Sequence, residues 1–184
     1  MGISRRLGDI QIFAELARGP LTVVSKGYQS SLDRFVLLKV LRPRVASDAS
    51  AVERLEEEAR LIARIKHENV VSVYDFGRDG DTTFIATEYV EGIDLHTLIL
   101  HKALPVDIAV FILYQIVRGL QAAHAQLVLH RDLKPSNVMI SYAGDVKLTD
   151  FGFASLMGDA TEEIRGTPSY LAPEQVRGES LSAA

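Results

Sequence analysis

The sequence predicts an α+β fold with two segregated lobes, and three observations carry that expectation. Strand-like runs dominate residues 1–90, whereas long helical periods dominate from Asp94 onward. Runs of strands followed by runs of helices mark segregated rather than alternating layers. The composition, 184 residues with 47% hydrophobic and 24% charged side chains, supplies enough chain to bury a sizeable core. The expected division is a β-rich lobe over 1–90 and a mostly helical lobe over 91–184.

The elements follow in order. Ile10, Ile12 and Leu16 sit at even spacing, and Leu21 to Val24 is β-prone. Phe35 to Leu41 is apolar except for Lys39 and is bounded by Asp33 and Pro43. Ser47 to Lys66 switches to a helical period. Val70 to Phe76 and Thr82 to Val90 are strand-like, separated by Gly77-Arg78-Asp79-Gly80-Asp81, a hairpin turn by composition. The first lobe is thus expected to hold a five-stranded sheet and one helix. Beyond Glu91-Gly92-Ile93 the longest helical pattern runs from Pro105 to Gln126, with proline near the first turn, where it is tolerated. His130 to Asn137 is polar and irregular, a short strand pair flanks Tyr142-Ala143-Gly144-Asp145, and a loop begins at Asp150.

Several function classes are disfavoured. A net charge of −4 offers no basic field, so no nucleic-acid partner is expected. The longest uninterrupted apolar run, Ile108 to Tyr114, is far short of the roughly 20 residues of a membrane helix, and no membrane segment is expected in this chain. The N-terminus has Arg5 and Arg6 but no apolar stretch behind them, so no signal peptide is read. With zero cysteines, these features lead to a cytoplasmic expectation.

Chemistry begins at Lys39. Alternation puts Phe35, Leu37, Lys39 and Leu41 on one strand face, so the ammonium either snorkels to water or needs an anion. In the following helix, Val52, Leu55, Ala59, Ile62 and Ile65 form one stripe. Of Glu53, Glu56, Glu57 and Glu58, only Glu58 falls inside it, so it can pair with Lys39, structurally or functionally. The decisive stretch is His130-Arg131-Asp132-Leu133-Lys134-Pro135-Ser136-Asn137 followed by Asp150-Phe151-Gly152. Phosphoryl transfer from a nucleotide needs a proton-accepting carboxylate, a cation facing the moving phosphate, oxygen ligands for magnesium and a second cation for the other phosphates. Asp132, Lys134, Asn137 with Asp150, and Lys39 are the right types in turn.

These motifs resemble the eukaryotic-type serine/threonine protein kinases, most closely their bacterial members. Val36-Leu37-Leu38-Lys39 resembles the family's Val-Ala-Ile-Lys strand, Glu58 its helix-C glutamate, and Thr87-Glu88-Tyr89-Val90 its gatekeeper and hinge. His130 to Asn137 resembles the catalytic loop, Asp150 to Gly152 the magnesium-binding turn, and Ala172-Pro173-Glu174 the end of the activation segment. The resemblance implies a bilobal kinase-like fold, ATP and Mg2+ as cofactors, and a protein substrate with a serine or threonine acceptor. It implies that Asp132 is the catalytic base and that Lys134 neutralises the γ-phosphate. Asn137 and Asp150 would hold the metal, and Lys39, paired with Glu58, would contact the other phosphates. Leu16, Ala17, Gly19, Val24, Leu37, Thr87, Glu88, Val90 and Asp94 would line the nucleotide. Thr167 would bond Asp132 and Lys134, and Thr161 would be a phosphosite received by Arg131.

The chain also departs from the pattern. Ala17-Arg18-Gly19-Pro20-Leu21-Thr22-Val23-Val24 keeps only Gly19 of the three glycines of the phosphate-covering loop, and Leu37 replaces an alanine at the adenine roof. The family domain runs to roughly 250 residues, so the lower helices of the second lobe are expected to be missing. That would leave Ile108, Phe111, Ile112 and Ile116 poorly covered and call for a partner or further chain. The alternative these departures support is a pseudokinase-like binding module without catalysis. A small-molecule kinase is disfavoured by Gly166 to Glu174, which resembles a peptide-docking loop. His96, His101 and His124 have no supporting ligand set, and His130 is expected to order its loop rather than carry protons.

Overall fold

A computed structural model describes residues 6–152, 154–156, 166–179 and 181–182. The chain divides into two units, 1–60 with 72–89, and 61–71 with 90–184. Residues 61–71 therefore cluster with the second unit rather than with the first lobe of the 1–90 expectation.

In the first unit, β1 (Arg6–Leu7), β2 (Ile10–Arg18), β3 (Thr22–Gln29) and β4 (Arg34–Leu41) precede helix α1 (Ala49–Ala63), and β5 (Val73–Asp79) and β6 (Thr82–Glu88) follow it. The sheet has six strands in the order β1-β2-β3-β4-β6-β5, not five. The additional strand is the two-residue β1, too short to show a period in sequence. The expected turn at 77–81 is tighter than anticipated: Gly77 to Asp79 belong to β5, leaving Gly80 and Asp81 to reverse the chain, with Gly80 at φ +57°. Residues of two-residue hairpin loops commonly need positive φ, which glycine takes at little cost.

Both faces of this sheet are packed. Leu7, Ile10, Val36, Leu38, Val40, Phe84 and Ala86 form one cluster. On the other face Leu41 and Ile85 meet Ala51, Leu55 and Ala59 of α1. The Lys39 face is consequently graded rather than uniformly buried. Leu41 lies in the cluster with α1 at 3% exposure, whereas Phe35, at the other end of the row, is 48% exposed.

The second unit holds β7 (Gly92–Asp94), α2 (Leu95–His101), α3 (Val106–Ala125), β8 (Val128–Leu129), β9 (Val138–Ser141), β10 (Val146–Leu148), β11 (Ser155–Leu156) and α4 (Pro173–Arg177). β7, β9 and β10 form one small antiparallel sheet, and β8 pairs with β11. Helix α3 packs on β8 and β10. Gly119 lets it approach closely: a Cβ there would meet the Asn69 carbonyl at 2.8 Å and Leu148 at 2.9 Å.

At 20 residues, α3 is long and apolar enough to cross a membrane by length and composition alone, a span that a search for uninterrupted apolar runs misses. Its packed stripe is Ile112, Ile116, Gly119 and Ala123. Two of the four side chains expected to lack cover, Ile112 and Ile116, are therefore buried. Ile108 and Phe111 are exposed, alongside Val106, Val110, Leu113, Tyr114 and Val117.

Candidate active site

In the first unit the functional side chains are set by strand register. Ala17 pairs with Val24 and Val24 with Lys39, while Leu37 pairs with Thr87. Directly paired residues point to the same side of a sheet. Ala17, Val24 and Lys39 thus form one row, with Leu37 and Thr87 beside it. Leu16 lies at an irregularity of the β2–β3 ladder and is 49% exposed.

Lys39 Nζ lies 2.8 and 2.9 Å from the two Glu58 oxygens. Glu58 is 8% exposed, on the packed side of α1 as its place in the apolar stripe predicts. Glu53 and Glu57 are exposed and Glu56 half-buried. Glu88 fastens the strand end instead: its N–H donates to the Ser72 carbonyl at 2.8 Å, and its Oε2 accepts from Ser72 N–H at 3.3 Å.

The glycine-poor loop is closed from within. Gly19 N–H donates to the Thr22 carbonyl at 2.9 Å, and Pro20 has no N–H. The carbonyls of Gly19, Pro20 and Leu21 accept from Arg42 Nη1 at 3.3 Å, Arg44 Nη2 at 3.3 Å and Arg42 N–H at 2.8 Å. Much of the backbone polarity of this tip is therefore spent inside the unit. The clamp by Arg42 and Arg44 was not anticipated, since no periodicity marks a guanidinium that binds carbonyls.

In the second unit the site is built around one carboxylate. Asp132 is 2% exposed. Its Oδ1 accepts from Thr167 N–H and Thr167 Oγ1, both at 2.8 Å. Its Oδ2 accepts from Lys134 Nζ at 2.7 Å and Asn137 Nδ2 at 3.2 Å. Lys134 Nζ also reaches Thr167 Oγ1 at 2.7 Å. Burial pushes the Asp132 carboxyl up, but the bonds from Lys134 and Thr167 more than offset it and hold the group below the usual range.

Asn137, 4% exposed, donates to the Asp132 carbonyl at 2.9 Å as well. Both donations use its amide nitrogen, which leaves Oδ1 as the oxygen for a cation. Thr149 N–H donates to the Asn137 carbonyl at 2.9 Å, so the chain enters Asp150 from beside Asn137.

Two non-glycine residues here take left-handed backbone, Arg131 at φ +63° and Asp150 at φ +56°. Such strain is held in place by its surroundings. His130 supplies part of that support. Its Nδ1 accepts from Asp132 N–H at 3.4 Å, so its Nε2–H donates to the Thr149 carbonyl at 3.0 Å. Its ring lies 4.4 Å from the fully buried Phe151 ring. Burial pushes the imidazole down; the Thr149 carbonyl and the Asp150 and Asp132 carboxylates oppose this without overcoming it. His130 is thus a neutral brace between the two turns.

Asp94 caps α2, its two oxygens accepting from Thr97 N–H at 2.8 Å and Thr97 Oγ1 at 2.7 Å. Val90 is buried. Thr161 lies outside the described residues. Gln175 of α4, which the motif reading did not single out, donates to the Arg131 carbonyl at 3.2 Å.

A family model for the protein kinase domain matches residues 10–184. The chain is 41% identical over 169 residues to the serine/threonine-protein kinase PknL of Mycobacterium tuberculosis, covering 89% of this chain and 42% of that protein. It is 36% identical over 184 residues to the serine/threonine-protein kinase PrkC of Bacillus subtilis, covering 97% and 28%. To the serine/threonine-protein kinase pkn3 of Myxococcus xanthus it is 40% identical over 187 residues, covering 93% and 34%. It spans less than half the length of these relatives. With the family match running over nearly every residue, the chain belongs to the protein kinase domain family.

Proposed function

We propose that the chain is the catalytic part of a protein kinase that moves the γ-phosphate of ATP to serine or threonine hydroxyls of a protein substrate. The observation that carries the reading is the Asp132 cluster, in which one carboxylate is bonded to Lys134, Asn137 and Thr167. Family membership implies use of ATP and a divalent metal ion. Magnesium is the finer assignment, and the donor chemistry fits it. Asn137 and Asp150 offer oxygen, as a hard cation prefers. Among the described residues no group of three or more His, Cys, Asp or Glu side chains forms a competing metal site. The metal, when bound, neutralises phosphate charge.

Asp132 is not a strong base at rest, because its pKa is held down. Its role in the proposal is to accept a hydrogen bond from the incoming hydroxyl, aim the oxygen at phosphorus, and take the proton late, as fits a loose transition state. The Lys134 ammonium faces the moving phosphoryl group and steadies Thr167, while Lys39, fixed by Glu58, holds the remaining phosphates. The proposal includes a cytoplasmic setting, on the zero cysteine count. Incubation with ATP labelled at the γ-position, Mg2+ and a basic acceptor protein, followed by phosphoamino-acid analysis, tests the reading. Label on serine or threonine that disappears with chelator is the expected result. Label on tyrosine alone, or none, counts against it.

A further inference from the structure

Gln175 lies in the first turn of α4, and its side-chain amide is bonded to backbone at both ends. Oε1 accepts from Ala172 N–H at 3.0 Å, the reach-back half of a capping box, and so satisfies one donor that a helix start leaves open. Nε2 donates to the carbonyl of Arg131, 44 residues away in sequence. That carbonyl belongs to the peptide joining Arg131 to Asp132, and the N–H of the same peptide points at His130 Nδ1. One flat peptide unit is therefore held at both polar ends, by an amide on one side and a buried imidazole on the other. The same peptide follows a residue at φ +63°, a conformation that persists only where neighbours over-determine it. Gly166 comes close to this carbonyl too: a Cβ there would stand 2.9 Å from it.

We propose that Gln175 is a positioning residue for Asp132, fixing the 131–132 peptide plane and with it the direction in which the Asp132 carboxylate leaves the backbone. Only the activity arm of the test below rests on the kinase reading. Gln175→Glu separates the two bonds. A carboxylate still accepts from Ala172 N–H and suits a helix N-terminus, but it has no N–H for the Arg131 carbonyl. Gln175→Ala loses both bonds. The measurements are amide hydrogen exchange at Asp132 and thermal unfolding, on the full 184-residue chain, with steady-state phosphate transfer alongside.

Asp132 N–H is expected to exchange about five- to tenfold faster in both variants, the effect of one lost hydrogen bond. Gln175→Glu should unfold within about 2 °C of the parent chain, and only Gln175→Ala should fall further. In transfer, kcat should drop by a similar factor in Gln175→Glu with KM for ATP unchanged. Exchange at the parent rate in Gln175→Glu overturns the proposal, because the bond to the Arg131 carbonyl would then not be what holds the peptide plane. Altered exchange in a chain whose parent transfers no phosphate supports the tie and overturns the kinase reading instead.

Discussion

Lys39 and Glu58 each give up much of their contact with water, and the cost of separating them follows from that. An exposed pair is worth up to about 1 kcal/mol, and breaking a fully buried one costs about 3–5 kcal/mol. With Lys39 20% and Glu58 8% exposed, Lys39→Met should cost about 2 kcal/mol in urea unfolding. Lys39→Met with Glu58→Gln should cost less than the two single losses added together. His130 makes a pH prediction. Its folded pKa is depressed below the usual imidazole value, so its contribution to stability is fully present above about pH 6.5 and is lost as pH falls through the folded value. In that window the parent chain should lose stability more steeply than His130→Asn, in denaturant midpoints measured from pH 7.5 to 5. Glu58 was legible in the sequence because a helix period sorts four neighbouring glutamates by direction. Gln175 was not, because its partner is a backbone carbonyl far away in the chain, which no spacing marks.

At the scale of elements, period and turn chemistry revealed most of the scaffold. Helix α1 and strand β6 fall within the predicted runs and β4 and β5 overlap theirs, with ends displaced by a few residues where caps and turns, not hydrophobic pattern, decide. The two-residue β1 and the arginine clamp on the β2–β3 loop were invisible, since both arise from tertiary pairing. Gly119 shows how packing overrides local preference. Alanine gains about 1 kcal/mol of helix propensity over glycine, yet its methyl would press on the Asn69 carbonyl and Leu148. Overpacking costs about 1–3 kcal/mol. Gly119→Ala should therefore lower the thermal midpoint, whereas a gain in stability would show that α3 stands further from β10 than described.

On the scale of the whole molecule, α3 presents an exposed apolar face. Val106, Val110, Leu113, Tyr114 and Val117 recur at helical spacing and remain open, an apolar stripe of the kind that promotes association. Leu113→Lys should leave stability within about 0.5 kcal/mol and reduce light scattering at high protein concentration. The catalytic reading was legible because its polar residues fall in two short runs, 130–137 and 150–152. The bonds of Thr167 to Asp132 and Lys134 were implied by the family resemblance, whereas the Thr149 carbonyl that ties His130 beside the 150–152 run was not, because no spacing marks a backbone partner. Single-turnover transfer from ATP with Mg2+ tests the proposed role of the Asp132 carboxylate as acceptor of the attacking hydroxyl's proton. Asp132→Asn should slow phosphate transfer by about 10²- to 10⁴-fold while nucleotide binding persists. Equal transfer rates from the two proteins would contradict it.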